Sequence, residues 1–355
     1  MPKLAYSPPN EAIIQALLSL GLTVDVFAPS EDFGVSEYGE NVNAFPAYYR
    51  YKWIASNIIS SRWRHYSVFS GTTEDPLSVV GLLAALYNKP SVTLSDEIRS
   101  GSYSGNRSRR WKKLCRWGMR RSDFQIVNDP VRVDLLKDYL SMQTTESMIV
   151  YPGCFRNPPP SADRQAMRKK WNVKNDNLVV ADSGVFYHEH SAIWLIEALV
   201  NRADINLVIQ PLNTDPLSRY LLTKIQGADR IYMEPRRIEW REAWSQMGAV
   251  DIGVAVYRQS GPQFQNMGIS SNRLCMFLAM GVPVIVSKQP SFEFVEKYNC
   301  GVMVENEHEF INAIDYIKPR LNQMKENALT CTAEYIDASG AYKNLVEKFR
   351  ETLGL

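Results

Sequence analysis

Paired cysteines, clustered histidines, long apolar runs and a global charge excess are all missing from this sequence, and each absence closes a class of function. The five cysteines (Cys115, Cys154, Cys275, Cys300, Cys331) are odd in number, widely spaced and form no CxxC pair. That argues against a disulfide framework and a cysteine zinc site, and for a reducing, cytoplasmic setting. There are four histidines, of which only His188 and His190 lie close together. With Glu189 they would make two or three metal ligands at most, so neither a metal nor a cofactor is expected. A net charge of +2 gives no overall pull toward nucleic acid. No uncharged apolar run approaches the roughly 18 residues of a membrane span. The opening "MPKLAYSPPNEAII" places prolines and an acid where a signal peptide would carry its apolar core.

What is present is ordinary globular material, with 45% apolar and 22% charged residues over 355 positions. A chain of that length implies two domains of about 150 to 200 residues. Charge is balanced globally but not locally. Between Ile98 and Ser122 there are nine Lys or Arg and no acid, leaving 31 bases against 38 acids elsewhere.

Apolar runs rather than alternating patterns mark the strands, and helical patterns separate them, which predicts parallel sheets covered on both faces. In the first half the expected strands are "KLAYS", "TVDVFAP", "YSVFSG", "PSVTLSDE", "DFQIV" and "SMIVYPG". Helices fall between them at "NEAIIQALLSLG" with Asn10 as N-cap, "DPLSVVGLLAALYN", a basic segment over 106–121, and "DPVRVDLLKDYL". "CFRNPPPSADR" (154–164) reads as a linker, because three successive prolines fit neither helix interior nor sheet. Beyond it the alternation restarts with "NLVVADSG", "INLVIQP", "RIYMEP" and "VDIGVAVY" as strands. The expected organisation is an N-terminal α/β domain over 1–153, a second over 165–334, and a C-terminal helix over 335–355 that could pack back across either domain, the first being the candidate.

Three motifs carry chemistry. "SSNRLCMFLAMGVPVIVS" (270–287) reads as a helix capped by Ser270, with Leu274, Phe277 and Leu278 buried, followed by a strand. Arg273 stands at its positive end, where a cation is disfavoured unless an anion is also there; a solvated side chain is the plainer alternative. "VTLSDEI" (92–98) places Asp96 at a strand end, as a catalytic base or as a cap. "NRSRRWKKLCRWGMRRS" (106–122) puts Trp111, Leu114, Cys115 and Gly118 on one side. Arg109, Arg110, Lys112, Lys113, Arg116 and Arg120 flank that stripe, a solvated basic face or a contact for anionic lipid headgroups with Trp117 and Met119 inserting. No nucleic-acid motif accompanies the patch.

The run "GISSNRLCMFLAMGVPVIVSKQPSFEFVEKYNCGVMV" (268–304) resembles the donor-binding segment of glycosyltransferases with two Rossmann-like domains facing a central cleft, the GT-B fold. It is most similar to the branch with a Ser-Ser-x-Lys-Leu helix, as in glucuronosyltransferases of exopolysaccharide synthesis. "VDIGVAVYRQS" matches the preceding strand. The resemblance implies that Ser270, Ser271, Asn272 and Arg273 hold a donor diphosphate and that Gly184 admits its phosphate or sugar. It places Arg236, Arg237 and Ile238 near the base and Tyr257 facing the site. It also implies Asp96 as the base of an inverting transfer that needs no metal, and a saccharide or lipid-linked acceptor on the first domain. The nucleotide sugar is a substrate, not a cofactor. The sequence departs from the family at Met276 and Gly268, where many members carry Glu. It also has Gly184-Val185 and His190-Ser191 where members often show Gly-Arg and Lys-Gly. A non-catalytic scaffold of the same fold, or a nucleotide-sugar epimerase, is the alternative.

Overall fold

The computed structural model describes residues 7–28, 38–47, 58–72, 74–95, 109–174, 176–184, 195, 197–199, 202–211, 220, 223, 228–234, 238–257 and 262–355. The contacts divide the chain into one unit of Met1–Arg156 with Ala338–Leu355, and a second of Asn157–Asp337. Residues 3–6 of the expected first strand, "KLAYS", lie outside the described residues, and its Ser7 precedes a helix.

The first unit runs α1 (Pro8–Ser19), β1 (Val24–Ala28), β2 (Val42–Pro46), β3 (Phe69–Thr72), α2 (Glu74–Tyr87), β4 (Ser91–Ser95), α3 (Arg109–Arg121), β5 (Phe124–Val127), α4 (Pro130–Leu140) and β6 (Met148–Val150). Strands β3, β4, β5 and β6 form a parallel sheet in that order, and β1 pairs in parallel with β2. Helix α1 begins three residues earlier than the sequence suggests, with Ser7 rather than Asn10 as N-cap. Two prolines fill its first positions, where a missing N–H costs nothing.

The glycines at 81 and 118 let α2 and α3 touch backbone to backbone. A Cβ at Gly81 would fall inside van der Waals distance of the Gly118 Cα, and one at Gly118 would lie 2.9 Å from the Leu77 carbonyl oxygen. Cys115 and Met119 are buried in the same seam. Met119 is therefore core and not available for insertion, whereas Trp117 is 38% exposed.

The second unit holds α5 (Arg164–Lys170), β7 (Leu178–Gly184), β8 (Ile205–Pro211), β9 (Ile231–Met233), α6 (Trp240–Met247), β10 (Ile252–Ala255), α7 (Pro262–Gln265), α8 (Asn272–Ala279), β11 (Val284–Ser287), α9 (Glu293–Lys297), β12 (Gly301–Val304), α10 (Glu307–Ile317) and α11 (Leu321–Cys331). Its six strands are parallel in the order β12-β11-β10-β7-β8-β9. Numbered within the unit that is 6-5-4-1-2-3, the doubly wound order whose connection reverses direction between the first and fourth strands. At the amino end of that sheet, the buried Asp251 accepts the Val179 N–H at 3.0 Å and pairs with Arg164 at 2.6 Å. Arg168 and Lys325 stand at 3.6 Å from the same carboxylate, so the amino ends of the central strands and two helices are tied to one anion.

Helix α12 (Ala338–Leu353) returns to the first unit. Its Leu345 and Phe349 complete the core around Val92, Leu94, Phe124 and Ile126, with the Phe349 ring 5.1 Å from that of Phe124 and nearly perpendicular to it. Cys154 and Phe155, at the head of the expected linker, are buried residues of this unit, so the chain leaves it at Arg156 rather than at 153. All five cysteines are buried thiols outside any disulfide. Burial pushes that of Cys154 up to about 12, which leaves it protonated and unreactive.

Candidate functional site

Ligands of a doubly wound sheet sit beyond the carboxyl ends of the strands at the reversal point, here β7 and β10. Three elements meet there: Asp182-Ser183-Gly184 ends β7, Tyr257 follows β10, and α8 begins at Asn272.

The helix start is built differently from the sequence expectation. Ser271, not Ser270, is the N-cap, and its hydroxyl oxygen accepts the Leu274 N–H at 3.1 Å. Ser270 sits in the preceding 3-10 turn, Gly268–Ser270, where its hydroxyl donates to the Met267 carbonyl. The N–H groups of Ser270 and Ser271 are also spent within that turn, on Met267 and Gly268. The hydrogen bonds of the cap therefore leave Asn272 and Arg273 as the backbone donors that helix geometry does not satisfy. Asn272 is exposed. Beneath the turn, Gln289 accepts the Met267 N–H at 3.2 Å and donates to the Phe264 carbonyl at 2.7 Å, and Ser291 accepts the Gly268 N–H at 3.2 Å. Gly268 and Met276, where many family members carry Glu, are both buried.

We expect Ser271→Ala to cost about 1 kcal/mol, the usual worth of a serine cap. A denaturation midpoint identical to that of the unaltered protein would show that this cap holds nothing.

Arg273 is not solvated. Its side chain is 8% exposed and its guanidinium forms an ion pair with Asp182, which is fully buried in β7. The guanidinium also lies over the Tyr257 ring, 4.9 Å from the centroid, and the Tyr257 hydroxyl meets the Ser271 hydroxyl at 2.5 Å. Burial works to lower the Arg273 pKa, but the Asp182 carboxylate and then Tyr257 outweigh it, and the net shift is upward. The group stays a cation.

One atom of Arg273 is unsatisfied. Its Nε–H is buried and has no hydrogen-bond partner among the described residues. The side of Gly184 that carries no side chain faces that nitrogen: a Cβ built on Gly184 would lie 3.9 Å from it. Gly184 has a φ of +137°, a conformation that other residues rarely adopt, so no side chain from this position covers the guanidinium. Next to it, Ser183 donates to Gln210 Oε1 at 3.0 Å, and Gln210 Nε2 is a second buried donor without a partner among the described residues. The site thus offers unsatisfied donors at the ends of β7 and β8, which suits an anion or an oxygen-rich ligand.

Sequence reasoning found Ser271, Arg273, Tyr257 and Gly184, and the structure brings these four together. It missed Asp182 and Gln210. A polar residue inside an apolar strand run was the available signal for both, since buried polar groups need partners. Arg236, Arg237 and Asp96 lie outside the described residues; β4 ends at Ser95, just before Asp96. Ile238 is buried. His188 and His190 also lie outside the described residues.

The basic helix is only partly free. Arg116 lies over the Tyr139 ring at 4.9 Å and bonds Ser141 at 3.4 Å, and Arg120 donates to the Leu140 carbonyl. Both therefore serve the carboxyl end of α4, where cations are favoured. Lys113 is exposed, Lys112 half-buried, and Arg109 and Arg110 are placed in the helix by their backbone alone. Among the described residues, no helix is long and apolar enough to cross a membrane.

No family model and no curated protein sequence matches the chain. Solved structures do. HepE of Anabaena in complex with UDP-glucose superposes with a TM-score of 0.76 at 14% identity, covering 99% of this chain and 97% of that one. Sucrose-phosphate synthase of Thermosynechococcus elongatus gives 0.75 at 15% identity, covering 98% and 94%. The chain has the GT-B fold. UDP-GlcNAc 2-epimerase of Neisseria meningitidis bound to UDP-GlcNAc is more distant, at a TM-score of 0.60 and 14% identity over 96% and 97%. In this GT-B chain the site just described lies in the second Rossmann-like unit.

Proposed function

We propose that this chain is a glycosyltransferase that moves a sugar from a nucleoside-diphosphate sugar to a saccharide acceptor, lipid-linked at the inner face of the cell membrane, in bacterial surface polysaccharide or glycoconjugate synthesis. The observation that carries the reading is the buried, unpartnered Nε–H of Arg273 beneath Gly184, at the strand ends where this class of sheet binds ligands. HepE, which shares the fold, was solved with UDP-glucose. The first amides of α8 add to Arg273 the partial positive charge of a helix start.

In the reaction, the bond between the sugar C1 and the diphosphate oxygen breaks and the diphosphate leaves with the electron pair. An acceptor hydroxyl oxygen bonds to C1, and its proton passes to a base, for which Asp96 is the candidate. Arg273 and the α8 amides stabilise the charge that develops on the leaving oxygens, so the site needs no metal for that purpose. Arg236 and Arg237 are the candidates beside the nucleotide base. The exposed Trp117, Lys113 and Arg121 of α3 are the groups through which the first unit would meet anionic headgroups.

Calorimetry with UDP and UDP-glucose, followed by product analysis with and without saccharide acceptors, tests this. Binding of both, with sugar transfer only when acceptor is present, is the expected result. Turnover of UDP-GlcNAc without acceptor would replace the reading with an epimerase, and no binding of any nucleotide sugar would leave a non-catalytic scaffold.

A further inference from the structure

Arg273 is paired with Asp182, a carboxylate that has no exposure of its own. The pairing also fixes which edge of the guanidinium is available. Nη1 is taken by Asp182, the plane lies on Tyr257, and Nε is a buried donor with no partner among the described residues, facing the side of Gly184 that carries no side chain. Tyr257 is itself held by the hydroxyl of Ser271, the residue that caps α8, so strand end, ring and helix start form one rigid seat.

We propose that Asp182 is a built-in counter-anion: it anchors Arg273 with its Nε–H presented to the donor's diphosphate, and it offsets part of the cation's charge so that the nucleoside diphosphate product is held weakly enough to leave. The proposal rests on the nucleotide-sugar reading and adds to it a residue that acts through Arg273. Its physical content is a sign. Were Asp182 only an anchor, removing it would weaken anion binding. As a counter-anion, its neutral isostere must strengthen it. Asparagine keeps an oxygen that can accept from Nη1 and deletes the charge. At the separation set by a shared arginine and an effective dielectric of about 20, one unit charge changes anion affinity by about tenfold or more.

The test uses the full chain and two probes, inorganic pyrophosphate and UDP, titrated calorimetrically into the unaltered protein, Asp182→Asn and Asp182→Ala, with thermal unfolding confirming that each is folded. Expected is pyrophosphate binding about tenfold tighter in Asp182→Asn, with Asp182→Ala weaker than Asp182→Asn because Arg273 has lost its acceptor. Pyrophosphate affinity equal to or below that of the unaltered protein in a folded Asp182→Asn overturns the proposal, as does no binding by either. Pyrophosphate tightening with no UDP binding in any form would sustain the seat and its counter-anion while removing the nucleotide-sugar reading.

Discussion

Arg273→Ala is expected to cost the second unit about 3–5 kcal/mol of stability, because it leaves the Asp182 carboxylate buried without its cation. The same change should weaken pyrophosphate or UDP binding by roughly 10- to 100-fold, the worth of a charged hydrogen bond. The two losses separate in a double variant. Replacing both partners, as Asp182→Asn with Arg273→Met, removes the unpaired charge and should restore most of the stability while leaving anion binding lost. Denaturant midpoints and calorimetry on the single and double variants measure each part. A single variant as stable as the unaltered protein would mean that the pair does not secure the end of β7 against α8.

The other large effect concerns the basic helix. Gly81→Ala places a methyl group against the Gly118 backbone, and backbone cannot rotate out of the way as a side chain can. The helices must part, at a cost of about 1–3 kcal/mol by the usual scale of overpacking. In a domain of this size that is a fall of roughly 2–4 °C in melting temperature per kcal/mol. The separation would also pull α3 away from α4 and so break the Arg120 bond to the Leu140 carbonyl. An unchanged melting temperature for Gly81→Ala would show that α2 and α3 are not packed at this crossing.

Much of this was legible from residue patterns because the inner strands of the second unit, such as β8, β10 and β11, are apolar runs buried throughout. "INLVIQP" and "VDIGVAVY" can be little else than central parallel strands, and they are β8 and β10. The donor-like helix was legible from its stripe, since Leu274, Phe277 and Leu278 are all buried. The cap was displaced by one residue because a 3-10 turn precedes the helix, and adjacent serines give no pattern by which to choose between them. Strand β2 was missed because only its first residue, Val42, is buried, leaving no alternation to detect. The Asp182–Arg273 pair joins positions 91 residues apart and has no local signature. The Gly81–Gly118 contact was hidden for a related reason: each glycine sits singly inside a helical pattern, and only the crossing of the two helices gives either a purpose.

The return of α12 sets an order on biosynthesis. The core around Val92, Leu94 and Phe124 is closed by Leu345 and Phe349, which the ribosome adds only after every residue of the second unit. During synthesis the first unit must therefore wait with an open apolar face while the second, contiguous from Asn157 to Asp337, can finish on its own. A premature stop or a proteolytic cut ahead of Ala338 would spare the complete second unit and strand the first, exposing to chaperones and proteases the half of the molecule that was made earliest.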